Sequence, residues 1–435
     1  MTPIQAQSLP AILSNKDVIA QGKTGSGKTA AFGLGLLNKL DVKKFRVQSL
    51  ILCPTRELAD QVAKEIRKLA RGIHNIKVLT LCGGTPMGPQ IGSLEHGAHI
   101  IVGTPGRIED HLKKGRLNLD NLNTLVLDEA DRMLEMGFVE ALDLIFSLCP
   151  ENRQNLLFSA TFPTQIQPLT ERFMKEPITV KVASTHQENT INQHFYQVND
   201  NSERLLAIRL LLQQFQREST VIFCNTKLEC QEVADQLNSF GFSALALHGD
   251  LEQKDRDQTL VRFANKSTSI LVATDVAARG LDVDALDAVI NYHIAHDPEV
   301  HVHRIGRTGR AGAKGVALSL ISHKEAHKVM RLEEYLGQDI SAEELPDEIV
   351  LNHDIVKPAM VTLQIDGGKK QKLRPGDILG ALTAGKNING DQVGKIQMFP
   401  IRAYVAVHNK VANIALKKIM DGKMKGRNFR VRKLS

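Results

Sequence analysis

The 435-residue sequence contains no run of 18 apolar residues, so it offers no transmembrane helix. Its first residues, MTPIQAQSLPAIL, lack a basic segment leading into a long apolar core and do not read as a signal peptide. The five cysteines (Cys53, Cys82, Cys149, Cys224, Cys230) form no C-x-x-C pair. They read as reduced, mostly buried thiols of a cytosolic protein and not as a disulfide or metal framework. Acidic residues are scarce in one place. Residues 357–435 hold 4 Asp and Glu against 17 Lys and Arg, so this stretch carries +13 and leaves −6 on the remainder of a chain whose net charge is +7. A basic module on a slightly acidic body suggests an appended nucleic-acid surface. A merely solvated tail is the alternative, weakened by the apolar periodicity within the stretch.

The length implies two to four domains at roughly 100–200 residues each. Residues 22–29 read GKTGSGKT, which is glycine, four residues, then Gly-Lys-Thr. A short apolar run at 17–20 precedes it and a helical pattern opens at 30–34, so the loop joins a strand to a helix. Gly22, Lys23, Thr24, Gly25, Ser26 and Gly27 would wrap phosphate oxygens with backbone N–H groups, at the positive end of a helix dipole. Lys28 would reach the β- and γ-phosphates, and Thr29 would ligate Mg2+. A glycine-rich turn without a ligand is the alternative.

Apolar runs at 49–53, 78–82, 99–102, 124–127 and 155–158 alternate with helical segments such as 57–70. This pattern predicts an α/β domain with a parallel sheet covered on both faces and ligands at the carboxyl ends of its strands. The run at 124–127 delivers Asp128-Glu129-Ala130-Asp131. Opposite a phosphate loop, Asp128 would hold Mg2+ through water, and Glu129 would orient and deprotonate the attacking water. An acidic helix start is the competing reading.

With these residues, the chain resembles the DEAD-box RNA helicases over nearly its whole length. Thr2-Pro3-Ile4-Gln5 is similar to the family's adenine-reading motif, which implies that Gln5 contacts the base. Pro54-Thr55-Arg56-Glu57-Leu58-Ala59, Gly83-Gly84 and Thr104-Pro105-Gly106-Arg107 are similar to its RNA-backbone motifs, implying RNA contacts at Thr55, Arg56, Gly84, Thr104 and Arg107. Ser159-Ala160-Thr161 matches the segment that couples hydrolysis to strand separation; Ser159, Thr161, Asp131 and His303 carry that coupling in the resemblance.

Residues 181–203 read as an interdomain connection. A second series of apolar runs follows at 220–224, 244–247, 270–273, 288–292 and 316–320, without a phosphate loop. It predicts a second domain of the same fold. The run at 270–273 leads into Thr274-Asp275-Val276-Ala277-Ala278-Arg279-Gly280-Leu281-Asp282. Further on, His303-Arg304-Ile305-Gly306-Arg307-Thr308-Gly309-Arg310 sets three arginines at a spacing of three. Such cations can neutralise charge on a transferring phosphoryl group, or pack as a basic turn on acidic neighbours such as Asp275. The resemblance implies that Arg307 and Arg310 act as arginine fingers, that Asp282 contacts the ribose, and that Thr274 and Gly280 hold RNA. Ile222-Phe223-Cys224-Asn225-Thr226 and His248-Gly249-Asp250 complete the family set.

After an acidic, helix-like stretch at 340–351, the tail reads β–α–β–β–α–β, with strands at 360–365, 393–398, 402–407 and 428–433 and helices at 375–383 and 410–420. This is the order of an RNA-recognition fold. It resembles the C-terminal domain of DbpA-type bacterial helicases. Aromatics are few on its strands: Tyr404 alone on the third, none on the first. RNA contacts are therefore expected from Lys369, Lys370, Lys372, Arg402, Lys423, Lys425 and Arg427 on phosphates, with Tyr404 as the one stacking candidate.

The expected architecture is α/β: two tandem RecA-like parallel-sheet domains (1–183 and 184–345), a linker (346–357) and a small α+β RRM-like domain (358–435). The family usually carries an adenine-stacking aromatic upstream of the Gln5 motif. With Met1 only four residues before Gln5, the resemblance implies weaker ATP binding than in a longer form. The implied activity is ATP- and Mg2+-dependent remodelling of RNA by a monomer without membrane contact. The subfamily implies a structured element of 23S ribosomal RNA, with adjacent single or double strands, in a large-subunit precursor. A DNA helicase and an RNA chaperone with a vestigial ATPase are the rival readings.

Overall fold

In the computed structural model, which describes residues 1–22, 25–159, 166–182, 191–278, 286–309, 314–385 and 387–434, three sheets follow one another along the chain. The first is parallel. Its strands are β1 (Val18–Gln21), β2 (Ser49–Leu52), β3 (Val78–Leu81), β4 (Ile100–Gly103), β5 (Thr124–Asp128), β6 (Gln154–Ser159) and β7 (Ile178–Lys181), in the order β3-β4-β2-β5-β6-β1-β7. Alternation along each central strand feeds two cores. Leu50, Leu52, Leu125 and Leu127 enter one, and Ile51, Val126, Leu156 and Phe158 enter the other. Each such side chain contributes about 1.5–3 kcal/mol on burial, which is why these strands are apolar throughout.

The second sheet contains β8 (Ile191–Val198), β9 (Thr220–Cys224), β10 (Ala244–Leu247), β11 (Ile270–Thr274), β12 (Ala288–Asn291) and β13 (Gly315–Ser322), in the order β10-β11-β9-β12-β13-β8. Apart from β7, the order of the first sheet is repeated strand for strand, with β8 standing where β1 stood. Both are RecA-like domains. The connection read at 181–203 is in part structured: β8 pairs with β13 along its whole length. Its polar outer residues hid it, because only Phe195, Tyr196 and Val198 are buried. The stretch read as helix-like at 340–351 is likewise corrected. Glu343 bridges Tyr196 in extended conformation, and only Glu348–Asn352 forms a short 3-10 turn.

The third sheet is antiparallel. It comprises β14 (Met360–Ile365), β15 (Val393–Met398), β16 (Ala403–His408) and β17 (Val431–Leu434), ordered β15-β16-β14-β17. Leu363, Ile365, Val405 and Val407 face the helices Pro375–Thr383 and Ala412–Asp421, meeting Ile378, Leu382, Ala415 and Ile419. The opposite face is also covered. Thr362, Gln364, Tyr404 and Ala406 are all 2% exposed or less. Asn265 Nδ2 donates to Thr362 Oγ1 at 3.2 Å, and Ser267 Oγ lies 2.6 Å from the same oxygen. The end of the second-domain helix Gln253–Ala264 thus lies on the face that an RNA-recognition fold commonly offers to bases.

All five cysteines are free and buried. No helix among the described residues is long and apolar enough to cross a membrane. Gly367 and Gly368 serve packing. A Cβ on Gly368 would collide with the carbonyl of Phe399 and approach the Arg402 nitrogen to 2.6 Å, where Lys369 N and Lys370 N bond the Phe399 and Pro400 carbonyls. Gly368→Ala is expected to destabilise the tail domain by about 1–3 kcal/mol, read as lost hydrogen-exchange protection across residues 360–434.

Candidate nucleotide and RNA sites

Parallel strands place every loop that follows a strand on one edge. In the first sheet, β5, β6 and β1 are neighbours and deliver Asp128, Ser159 and the phosphate loop side by side. Adjacent β2, β4 and β3 deliver Thr55, Thr104 and Gly84. The edge is therefore divided: the sequence-predicted nucleotide residues share one half and the RNA residues the other.

Two glycines shape the phosphate loop, with Gly25 and Gly27 at φ 84° and 92°. A side chain at Gly27 would also strike Gln5, 2.5 Å from Nε2. Gln5 Nε2 donates to the Gly27 carbonyl at 3.1 Å, and its Oε1 accepts from Thr2 N at 2.9 Å, so Gln5 is seated on the loop. Lys28 is buried and donates to the Gly22 carbonyl at 2.8 Å. Gly22 N in turn bonds the Ser159 carbonyl at 2.9 Å, which ties the loop directly to the end of β6. Thr29 is half-buried in the first turn of the helix Lys28–Asn38. Lys23, Thr24, Thr161, Gly280, Asp282 and Arg310 lie outside the described residues.

Asp128 is 3% exposed, and its Oδ1 has no hydrogen-bond partner among the described residues. Burial pushes its carboxyl up to about 7; Lys28 opposes this, while Glu129 and Asp131 add to it. A buried carboxyl short of positive charge is what a divalent cation would complete, so the donor set fits Mg2+. Glu129 has φ 55°, the left-handed region, at the junction of β5 with the helix Ala130–Glu135. A non-glycine residue held there costs on the order of 1–3 kcal/mol, and such positions gather at working sites. Asp131 is buried, with Oδ1 accepting from Arg132 N at 3.0 Å.

On the RNA half, Thr55 caps the helix Arg56–Leu69 by accepting from Leu58 N at 3.3 Å. Arg56 lies 3.7 Å from Asp60. Thr104 precedes the helix Pro105–Lys113, and Gly84 has φ 69°. Arg107 Nη1 donates to the Thr85 carbonyl at 3.1 Å, joining two of the motifs. Sequence reasoning missed Gln90. It is buried, donates to the Cys82 carbonyl at 3.0 Å and meets His111 Nε2 at 3.0 Å, bracing both loops. A single glutamine carries no pattern that would have flagged it.

In the second domain, Thr226 caps the helix Lys227–Ser239, accepting from Glu229 N at 3.2 Å. It occupies the place of Thr55. The repeated signal was readable as Cys53-Pro54-Thr55-Arg56 and Cys224-Asn225-Thr226-Lys227. Thr274 ends β11 and is buried. Of the three spaced arginines, Arg304 does not reach for phosphate. It is 2% exposed, forks onto Asp275 at 2.6 and 2.7 Å, and bonds the His293 carbonyl at 2.8 Å and Asn225 Oδ1 at 3.3 Å. For this residue the packed basic turn is the correct reading. His303 and Arg307 are half-buried in and just after the helix Pro298–Ile305.

Family profiles agree with this geometry. One described as DEAD/DEAH box helicase matches residues 2–169, one described as helicase conserved C-terminal domain matches 202–312, and one described as DbpA RNA binding domain matches 362–433. The ATP-dependent RNA helicase DbpA of Escherichia coli (strain K12) is 54% identical over 436 residues, covering 100% of this chain and 94% of that protein. The chain belongs to the DEAD-box ATP-dependent RNA helicases. It is an RNA-dependent ATPase and helicase. The helicase CshA of Bacillus subtilis (strain 168) is 44% identical over 333 residues, 77% of this chain and 67% of that one. Among solved structures, Saccharomyces cerevisiae Dbp5 bound to RNA and ADP BeF3 superposes with TM-score 0.71 at 30% identity, covering 79% of this chain and 90% of that one. Mss116p bound to ssRNA and AMP-PNP gives 0.71 at 29% identity, covering 80% and 75%.

In the tail domain of this helicase, Lys369 and Lys370 are exposed, and Arg402 is half-buried. Tyr404 is corrected as a stacking candidate. Its ring is buried, lies edge-on to Phe399 at 5.4 Å, and is therefore closed to a base in this arrangement.

The Asp128 carboxyl has a testable signature. Its folded value is raised, so the penalty is absent below the unfolded value of 3.8, grows as pH rises towards about 7 and is complete above that. Asp128→Asn should therefore stabilise the nucleotide-free protein at pH 8, by on the order of 2 kcal/mol, and not at pH 4. Thermal unfolding at the two pH values checks this.

Proposed function

We propose that this helicase remodels a structured element of 23S ribosomal RNA, with adjacent single or double strands, in a large-subunit precursor in the cytoplasm. Support comes from the concentration of basic residues in the tail and from its match to the DbpA RNA binding domain. Because the sheet face is covered, Lys369, Lys370, Lys372, Lys423, Lys425 and Arg427 are the phosphate contacts of the tail, with Arg402 at their border.

In this reading Lys28 and the phosphate-loop amides bind the nucleotide phosphates and Gln5 reads the adenine. Thr29 and Asp128 would hold Mg2+, the latter through water. When bound, the ion supplies positive charge that neutralises the phosphates. Glu129 orients and deprotonates the attacking water, and Arg307 and Arg310 stabilise the charge on the phosphoryl group as it transfers. Ser159, Thr161, Asp131 and His303 relay the state of the nucleotide to RNA held at Thr55, Arg56, Gly84, Thr104, Arg107, Thr274 and Gly280. ATP and RNA each favour the same closed state, so each promotes binding of the other. The enzyme acts as a monomer, with 1–183, 184–345 and 358–435 as its working parts.

The observation that carries the catalytic assignment is the left-handed Glu129 beside the uncompensated Asp128 carboxyl. Glu129→Gln is expected to lower kcat for ATP by roughly 100-fold or more while RNA is still retained in the presence of ATP. Normal turnover in that variant would show the base assignment to be wrong. Steady-state ATPase is expected to rise most with a 23S ribosomal RNA fragment, less with generic single-stranded RNA and not with DNA of equal sequence. Equal stimulation by every RNA would make the tail a nonspecific anchor, and RNA annealing without ATP turnover would favour a chaperone.

A further inference from the structure

A buried polar cluster joins the carboxyl ends of β9, β12 and β13 in the second domain, and nothing in the assignments above uses it. Arg204, fully buried on the helix Asn201–Phe215, donates to the Tyr292 carbonyl, the Leu320 carbonyl and the Glu325 carboxylate. Glu325 also accepts from Ser322 N and Oγ at 3.2 and 2.9 Å. Beside it stands His293, 13% exposed in its side chain. Its Nε2 lies 2.7 Å from Glu229 Oε1, and its Nδ1 lies 3.4 Å from Glu325 Oε1. Lys328 Nζ approaches Glu325 at 3.6 Å, and the Tyr292 ring meets the imidazole edge-on at 5.1 Å.

The two carboxylates beside its nitrogens set the state of the ring. An ionised carboxylate only accepts, and a neutral imidazole has one donor. Nε2 meets Glu229, and Glu325 Oε1 is buried with no hydrogen-bond partner among the described residues, so the charge it lacks is a proton on Nδ1 3.4 Å away, which makes the ring between the two carboxylates the imidazolium. Glu229 passes this constraint on. Its Oε2 accepts from Asn225 N at 3.2 Å, and its own N–H is the one that Thr226 caps. Arg304 closes the circuit from the other side, bonding both the His293 carbonyl and the Asn225 side chain. The segment 225–229, which repeats the Thr55 helix start of the first domain, is therefore held through His293.

We propose that His293, as an imidazolium strut between Glu229 and Glu325, is a positioning residue that fixes the Thr226 helix start for RNA and makes RNA binding by this helicase pH-dependent. This rests on the reading above that the second domain holds RNA at Thr274, which ends β11 beside β9. Burial alone would lower the His293 value; the carboxylates of Glu229 and Glu325 beside the ring outweigh it and raise it above 6.5, with Arg204 opposing. The raised value sets the sign: the strut is fully formed below pH 6.5 and is lost as pH rises through the folded value.

The test uses the full chain, a fluorescent oligouridylate and a non-hydrolysable ATP analogue, with Kd measured from pH 6 to 9. Wild type is expected to lose affinity by about tenfold in one step centred above pH 6.5. His293→Gln should bind at the wild type's alkaline limit throughout, without the step. In Glu229→Gln one donor suffices, so the midpoint should fall towards 6.5. An unchanged step in His293→Gln overturns the proposal. If that variant fails to fold, an unmoved midpoint in Glu229→Gln does so. ATP hydrolysis by wild type with and without the same RNA at pH 6.5 separates the two readings. Without stimulation, the placement of RNA fails; with stimulation but no pH step, only the role of His293 fails.

Discussion

A parallel sheet sends every strand's carboxyl end to the same edge, and that constraint arranges both helicase domains. Because β1, β6 and β5 are neighbours, the phosphate loop, Ser159 and Asp128 are brought to adjacent strand ends although they lie far apart in the chain. Because β2, β4 and β3 lie on the other side, the loops with Thr55, Thr104 and Gly84 gather there. A link such as Gly22 N to the Ser159 carbonyl then needs no mobile relay: it is a backbone hydrogen bond between adjacent strand ends.

Charge on this edge is managed differently in the two domains. In the first, Asp128 is left without a full counter-charge, so its carboxyl is raised and a cation or nucleotide can complete it. In the second, buried charges lie against opposite charges. Arg304 is bonded to Asp275, Asn225 and a carbonyl, Arg204 is bonded to Glu325, and His293 stands between Glu229 and Glu325. The first arrangement suits a site that exchanges a charged ligand. The second suits a scaffold that must hold loops in place, since breaking a buried pair is costly.

The tail adds a further use of surface. Its β14 and β16 carry small and polar residues on the face away from their own helices, and Thr362 is bonded by Asn265 and Ser267. Only one aromatic, Tyr404, lies among Thr362, Gln364 and Ala406 on that face, and it is covered. The scarcity of aromatics there agrees with a face that meets protein, and it leaves the exposed lysines and arginines of the turns for phosphates.

Much was legible in the residue order. Glycine spacing in 22–29 announced a phosphate loop because left-handed backbone at Gly25 and Gly27 demands glycine. Apolar runs announced the buried strands, and the acidic pair Asp128-Glu129 falls, as read, at the carboxyl end of one of them. The strand β8 escaped because an edge strand needs few apolar residues, and 340–351 read as helical because composition carries no knowledge of the strand it lies against. Local chemistry thus determined which elements form and which loops bear reactive groups. Tertiary structure alone decided that Arg304 is a buried tie, that Gln90 braces two loops, that Tyr404 is covered and that His293 sits between two carboxylates. Each depends on neighbours from distant strands, and a side chain's protonation and accessibility are set by those neighbours, not by its position in the chain.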